Sequence, residues 1–277
     1  MTAPLDDVKR RLRDVWSSAA GYHELTAGFS PAIEELVDWV GIGSGERVLD
    51  IATGTGRTAL AARRRGAQVT AIDFSPVQLS EAAHHLARAG YDDVTLDEGD
   101  IEALPYPDHH FSAVISTFGV LHAARAELAA SEMERVLAYA GRLGLATWLP
   151  DSGLLALHEL LYRYRATSPL IDDPRQWGDH TRLRALFNRR SLPKLEHREG
   201  ELTLDYPDTQ TAWREWRSRY GPARSIYSAL NAERRFQLDQ EAVACFSASA
   251  LADGHVNWRL GYLLTRAVKV STVSRLG

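Results

Sequence analysis

Asp50, Ala52, Thr53, Gly54 and Gly56 fall within "VLDIATGTGRTAL", Val48 to Leu60, an apolar run that gives way to small residues and then resumes at helical spacing. Glycines in such a turn let the backbone bend sharply and approach a ligand with no Cβ in the way. The unpaired N–H groups at the start of the following helix draw an anion to the same point. Seventeen residues after Gly56, Asp73 closes a second apolar run, where a carboxylate can accept hydrogen bonds from both hydroxyls of a ribose. Adenosine with an anionic group attached satisfies both features.

Two cofactors meet that description. Gly54-Thr-Gly56-Arg-Thr-Ala59 formally fits the dinucleotide pattern with alanine in the last place, and an acid ending the second strand suits NAD. S-adenosylmethionine (SAM) offers a carboxylate in place of the pyrophosphate and also carries an ammonium and a sulfonium. Asp50, four residues before Gly54, suits those cations and would sit uncomfortably close to a pyrophosphate. The charge argument favours SAM.

The elements that must position these residues follow from periodicity. Residues 5–18 read as a helix, and in "AIEELVDWV" Ile33, Leu36, Val37 and Val40 share one stripe. Strand and helix then alternate: strand "RVLDIA", a helix from about Thr55 to Arg65, strand "QVTAID", a helix after Ser75-Pro76, strand "VTLDEG", strand "FSAVIST", helix "ELAASEMERVL" and strand "RLGLATW". Short apolar strands separated by helices predict a doubly wound α/β domain with a parallel sheet covered on both faces. Beyond Pro150 the rhythm changes. Residues 151–193 and 208–252 read as helical, with strands at "HREGELTLDY" and "WRLGYLLTRAVKV". No linker rich in Pro, Gly or Ser interrupts them, so the late helices are expected to cap the sheet. The expected divisions are N-terminal helices over 1–40 closing the site, a cofactor-binding core over 41–150, and cap insertions with the last two strands over 151–277.

The chain has 277 residues, 45% of them hydrophobic and 25% charged, an ordinary globular composition. No apolar stretch approaches a membrane span, and "MTAPLDDVKRRLRDVW" has no apolar core of a signal peptide, so a cytoplasmic location is expected. The single cysteine, Cys245, excludes an internal disulfide and a cysteine-based metal site. Residues 1–150 carry 13 basic and 21 acidic side chains, and residues 151–277 carry 19 and 15. The cations of the second half alternate with acids, as on solvated helix faces, and make no patch for nucleic acid or membrane. The histidines have no third ligand at metal-binding spacing, so no metal is expected. Homo-oligomerisation stays open.

"VLDIATGTG", "AIDFSPVQL", "GDIEALPYPDHHFSAVISTFGVLH" and "MERVL" resemble, in order and spacing, the successive motifs of class I SAM-dependent methyltransferases, in the branch related to ubiquinone and menaquinone biosynthesis. The likeness covers about residues 45–150. It implies a Rossmann-like seven-stranded sheet whose last strand is antiparallel. It also implies that Ala52, Thr53, Gly54 and Gly56 line the methionine part of SAM, with Asp50 near its ammonium. Asp73 would bind the ribose and Phe74 would pack on the adenine. Asp100 would accept from the adenine amino group with Ile101 against the ring, and Thr117 and Phe118 would border the methionyl side. Ala52 stands where the family usually has a glycine, and "AYAGRL" replaces a Pro-Gly-Gly turn before the fifth strand.

Methyl transfer from a sulfonium is an in-line displacement that a protein assists by aligning the acceptor and excluding water, so a general base is optional. His122, a few residues beyond the fourth strand, is the first candidate base, beside the reading of a structural loop histidine. Tyr22, in "AAGYHEL", matches a tyrosine that closes over the cofactor in this branch, and packing explains it equally well. The acceptor expected is a small aromatic, quinone-like or isoprenoid metabolite, with carbon slightly favoured over oxygen or nitrogen. Trp213, Trp216 and Tyr220 share one helical face, readable as core or as substrate wall, and Arg214, Arg217 and Arg224 nearby would suit an acidic group. A SAM-binding cyclase or regulatory protein, and more remotely an NAD-dependent oxidoreductase, are the alternatives.

Overall fold

The structure is a computed structural model, and it describes residues 5–18, 21–165, 172–187 and 191–271. Helix α1 (Leu5–Ser17), α2 (Tyr22–Leu25) and α3 (Ser30–Val40) precede strand β1 (Arg47–Ile51). Then follow α4 (Arg57–Arg64), β2 (Gln68–Asp73), α5 (Pro76–Arg88), β3 (Thr95–Glu98), β4 (Phe111–Thr117), α6 (Ala126–Val136) and β5 (Leu137–Trp148). The second half holds α7 (Gly153–Arg163), α8 (His180–Leu186), β6 (Leu195–Tyr206), α9 (Thr209–Arg219), α10 (Gly221–Ala229), α11 (Ala232–Ser247) and β7 (Val256–Val268). Of the helical stretch expected over 151–193, residues 166–171 and 188–190 lie outside the described residues.

The seven strands form one sheet in the order β3-β2-β1-β4-β5-β7-β6. The first five are parallel, whereas β7 runs antiparallel to both β5 and β6. The near-unbroken burial along β1 and β4 follows from helices covering both faces, which a parallel sheet requires. The chain winds outward from β1 to β3 and then returns to lay β4 beside β1, so the strand order reverses between these two. Ligand crevices open at the carboxyl ends of strands at such a reversal. The cap departs from a plain sheet cover: α9, α10 and α11 lie between β6 and β7, and α10 also reaches α1.

Two local departures from the sequence reading have clear causes. Helix α4 begins at Arg57 and not at Thr55, because Gly56 takes φ 83°, a left-handed conformation that no helix continues through. A Cβ on Gly56 would also stand 3.0 Å from Ala82 Cβ, so the glycine lets the turn approach α5. Strand β5 starts at Leu137, five residues earlier than the "RLGLATW" reading, and α6 passes into it without a loop. Its pairing with β4 slips between Phe111 and Ala113, and the slip is accommodated at Ala140, an exposed residue with φ 58°.

Left-handed alanine is strained by roughly 1–2 kcal/mol, and glycine's greater freedom when unfolded offsets about half of that. Ala140→Gly should therefore raise stability by about 0.5–1 kcal/mol in urea unfolding, with the slope against urea unchanged; a loss of stability would show that the turn carries no such strain.

Candidate functional site

A cavity of about 580 Å³ opens at the β1–β4 reversal, beneath α1. Ala52, Thr53, Gly54, Asp73, Phe74, Asp100, Ile101, Thr117, Phe118, His122 and Tyr22 all line it. Asp50 and Gly56 stand behind the lining: Asp50 is buried in β1, and Gly56 shapes the entry to α4. The residues singled out for the cofactor, with His122 and Tyr22, are therefore gathered at one place, from four loops and the N-terminal segment.

The turn after β1 is set by its backbone. Ala52 and Gly54 both have φ 53°, and across the crevice Phe118 has φ 56°. Positive φ at non-glycine residues persists only where surrounding structure enforces it. Gly119 is part of that enforcement, since a Cβ there would come within 2.6 Å of Ala52 Cβ and carbonyl oxygen. The β1 and β4 ends thus meet backbone to backbone. Thr58 and Thr117 join hydroxyls across the same gap.

Two carboxylates govern the electrostatics. Asp73 accepts from Gly54 N–H at 2.8 Å and from Ser75 N–H at 2.9 Å, tying the β1 turn to the start of α5. Burial raises its pKa to about 6 against the pull of these bonds. Asp50 accepts from Thr53 Oγ1 at 2.6 Å through one oxygen, while Oδ1 is buried with no partner. Burial lifts Asp50 to about 7, with Asp73 adding to the effect. Two further buried atoms near this turn are unpartnered, Arg57 Nε and Gln78 Oε1, both from residues that line the cavity. Buried polar groups are nearly always bonded, so two acceptors and one donor left open at one turn define a place for a ligand carrying both charges. SAM, an amino acid joined to a nucleoside, fits that donor set.

Sequence reasoning missed Arg57, and it expected N-terminal helices to close the site without naming the residues of α1. Arg57 was legible in principle, as a cation in the first turn of the helix that follows the glycines. Helix α1 contributes Lys9, Arg13 and Trp16 to the cavity. Lys9 Nζ lies 2.5 Å from Asp100 Oδ2 and 2.7 Å from Glu102, and Arg13 lies 2.7 Å from Glu98. One Asp100 oxygen is thus taken by Lys9 and the other by Glu102 N–H, so this residue is engaged before any ligand arrives.

Of the residues proposed to act, His122 packs against Trp16 with ring centroids 4.6 Å apart. Burial, with His158 and the Arg165 charge nearby, holds its pKa well below the ordinary value, so the imidazole stays neutral. Tyr22 packs edge-on to Trp16 at 5.3 Å, and burial beside Asp73 pushes its phenol well above the usual range. The cap arginines stand elsewhere. Arg217 pairs with Asp239, Arg224 donates to Ser18 carbonyl and Arg214 to Thr211, and none of the three lines the cavity. Trp213 and Trp216 are buried core, with indole N–H groups bonded to Asp239 and Tyr206.

A family profile described as a methyltransferase domain matches residues 48–141. An uncharacterized protein of Mycobacterium tuberculosis is 33% identical over 270 residues, spanning 93% of each chain. The demethylmenaquinone methyltransferase of Thermus thermophilus is 42% identical over 107 residues, covering 38% of this chain and 48% of that enzyme. Among solved structures, a phosphoethanolamine N-methyltransferase of Haemonchus contortus, with S-adenosylhomocysteine bound, superposes with a TM-score of 0.62 at 16% identity, over 94% of this chain and 60% of the other. The motif order, the sheet topology with its antiparallel β7, the polar set around the first turn and these likenesses converge: the chain belongs to the class I SAM-dependent methyltransferases.

Proposed function

We propose that this methyltransferase acts on a small, planar, largely uncharged metabolite of quinol-like or aromatic type, with carbon as the favoured acceptor atom. The observation that carries the reading is the cavity itself, which has open polar atoms at the β1 turn and is lined by the rings of Trp16, Tyr22, Phe29, Phe74 and Phe118. The partial likeness to a demethylmenaquinone methyltransferase supports the acceptor class and the tilt toward carbon. The cofactor supplies an electrophilic methyl on sulfur, and the chain's residues hold and shield it.

In this proposal Asp50 Oδ1 and Gln78 Oε1 accept from the ammonium, and Arg57 Nε donates to the carboxylate. Ala52, Thr53 and Gly54 border the methionyl chain on one side, with Thr117 and Phe118 on the other. Asp73 uses its remaining lone pairs for the ribose hydroxyls. Phe74 and Ile101 flank the adenine, and Asp100, already held by Lys9, faces its amino group. His122 and Tyr22 serve as neutral walls of the acceptor space; the low basicity of the buried imidazole argues against a proton-abstracting role. Trp16 and α1 close the roof and exclude water, which strengthens the electrostatic contacts inside.

Calorimetric titration with SAM, S-adenosylhomocysteine and NADH tests the reading: the first two should bind and the third should not, and NADH binding alone would replace it with a dehydrogenase. Asp73→Ala should weaken SAM by about tenfold to a hundredfold, the worth of hydrogen bonds to a buried carboxylate. Arg57→Met should weaken SAM by about tenfold and leave adenosine unaffected, since adenosine has no carboxylate. Equal losses for both ligands would move Arg57 away from the amino-acid end.

The carboxylates give a pH signature. With Asp50 raised to about 7 and Asp73 to about 6, the free protein holds protons that a cationic ligand must expel. SAM affinity should therefore rise with pH between about 5.5 and 7.5 and then level off, with net proton release seen as a buffer-dependent binding enthalpy. Asp50→Asn should flatten the rise; a pH-independent affinity in the unaltered protein would contradict the ammonium assignment.

A further inference from the structure

Behind the cavity lies aromatic ground that cofactor binding does not explain. Tyr22, Phe29, Phe118 and His122 line the cavity and also line an adjoining recess completed by His158 of α7 and Tyr220 at the α9–α10 junction. The recess measures about 10 Å³, room for one water-sized atom. Its other walls are leucine and tryptophan side chains.

Its polar equipment is a single pair. Tyr220 Oη lies 2.6 Å from His158 Nε2, and the two residues are 2% and 3% exposed. His158 Nδ1 is buried and has no partner. If Tyr220 donates to Nε2, then Nδ1 carries the proton and is an unused donor; if Nε2–H donates to Tyr220, Nδ1 is an unused acceptor. One hydrogen bond is unmade in either tautomer, on a residue that lines a space the size of an oxygen atom. A buried group left in that state is costly.

The surroundings fix the charge of what could enter. The groups acting on the pair are His122 from the segment after β4, Tyr22 from α2, and Tyr162 and Arg165 from the end of α7, with no carboxylate among them. Arg165 lies over the Tyr162 ring at 4.6 Å. Burial and the Arg165 charge hold His158 neutral, with a pKa of about 3, and burial keeps the proton on Tyr220. Two neutral groups in an apolar pocket receive an uncharged polar group and reject an ion.

We infer that His158 and Tyr220 form the acceptor-recognition pair of this enzyme: the recess between them, Phe118 and His122 takes the hydroxyl of an uncharged aromatic acceptor whose ring lies in the adjoining cavity. A hydroxyl both donates and accepts, so it completes Nδ1 in either tautomer, where a methyl group completes neither. The pair orients the acceptor and selects it; it is a positioning and specificity device. The inference rests on the methyltransferase reading only in assigning the aromatic-lined part of the cavity to the acceptor.

The test uses the full chain saturated with S-adenosylhomocysteine and titrated with 1-naphthol and with 1-methylnaphthalene, which has a methyl in place of the hydroxyl. Naphthol should bind about tenfold more tightly, one hydrogen bond to a buried partner. His158→Phe and Tyr220→Phe should each reduce that preference to about twofold or less while leaving 1-methylnaphthalene and S-adenosylhomocysteine affinities in place, and His158→Gln should restore part of it. Tyr220→Phe removes a single oxygen, so it remains informative if His158→Phe fails to fold. Equal binding of the two probes, survival of the preference in Tyr220→Phe, or no binding of naphthol to the loaded protein would each overturn the inference. Failure of S-adenosylhomocysteine to bind would instead refute the cofactor reading; the naphthol preference, measured then on the unloaded protein, would stand or fall separately.

Discussion

The bond between Gly54 N–H and the Asp73 carboxylate is the contact on which the rest of the site depends. It ties the end of β1 to the end of β2 at the point where both strands stop pairing. The same carboxylate receives Ser75 N–H and so also fixes where α5 begins. With those two helix starts held, the left-handed residues Ala52, Gly54 and Gly56 have little freedom left, Arg57 and Gln78 line a cavity of defined shape, and Asp50 stands behind them with one oxygen unpartnered. The arrangement costs stability. Burial raises the pKa of both acids toward neutrality, with Asp73 adding to the shift of Asp50, and on the proposed reading a ligand of opposite charge offsets that cost.

Much of this was legible in the sequence, for a physical reason. The cofactor side is built from strand ends and the short turns after them, so its residues are neighbours along the chain and their chemistry shows as local motifs. "VLDIATGTG" and "AIDFSP" can be read without knowing where any other segment goes. The sheet was legible for the same reason, since buried parallel strands have unbroken apolar runs. The helix face of Trp213 and Trp216 was ambiguous between core and wall, and only the packing of Trp216 against Trp258, which Phe246 in turn covers, decides it.

The remainder was hidden by distance along the chain. Lys9 meets Asp100 across 91 positions, and His158 meets Tyr220 across 62. In "LLALHELLYR" His158 stands alone on an apolar stripe, which by itself says core histidine. Only the location of Tyr220, and the absence of a bond at Nδ1, separates that reading from a functional one. The slip at Ala140 was half visible: the missing Pro-Gly-Gly announced an altered turn, but not that β5 would absorb it by starting early.

Helix α1 joins the body of the protein through two kinds of contact that respond differently to surroundings. Val8, Leu12 and Trp16 are buried, while Lys9 and Arg13 hold to Asp100, Glu102 and Glu98 through ion pairs at the edge proposed for the adenine. Dissolved salt screens the partly exposed ionic contacts and leaves the apolar ones in place. The roof is therefore fastened more loosely at one edge than at the other as ionic strength rises. With the cofactor placed as proposed, its adenine would lie under the edge that salt loosens and its methionyl end among buried groups, so the rate of cofactor exchange would follow the ionic medium.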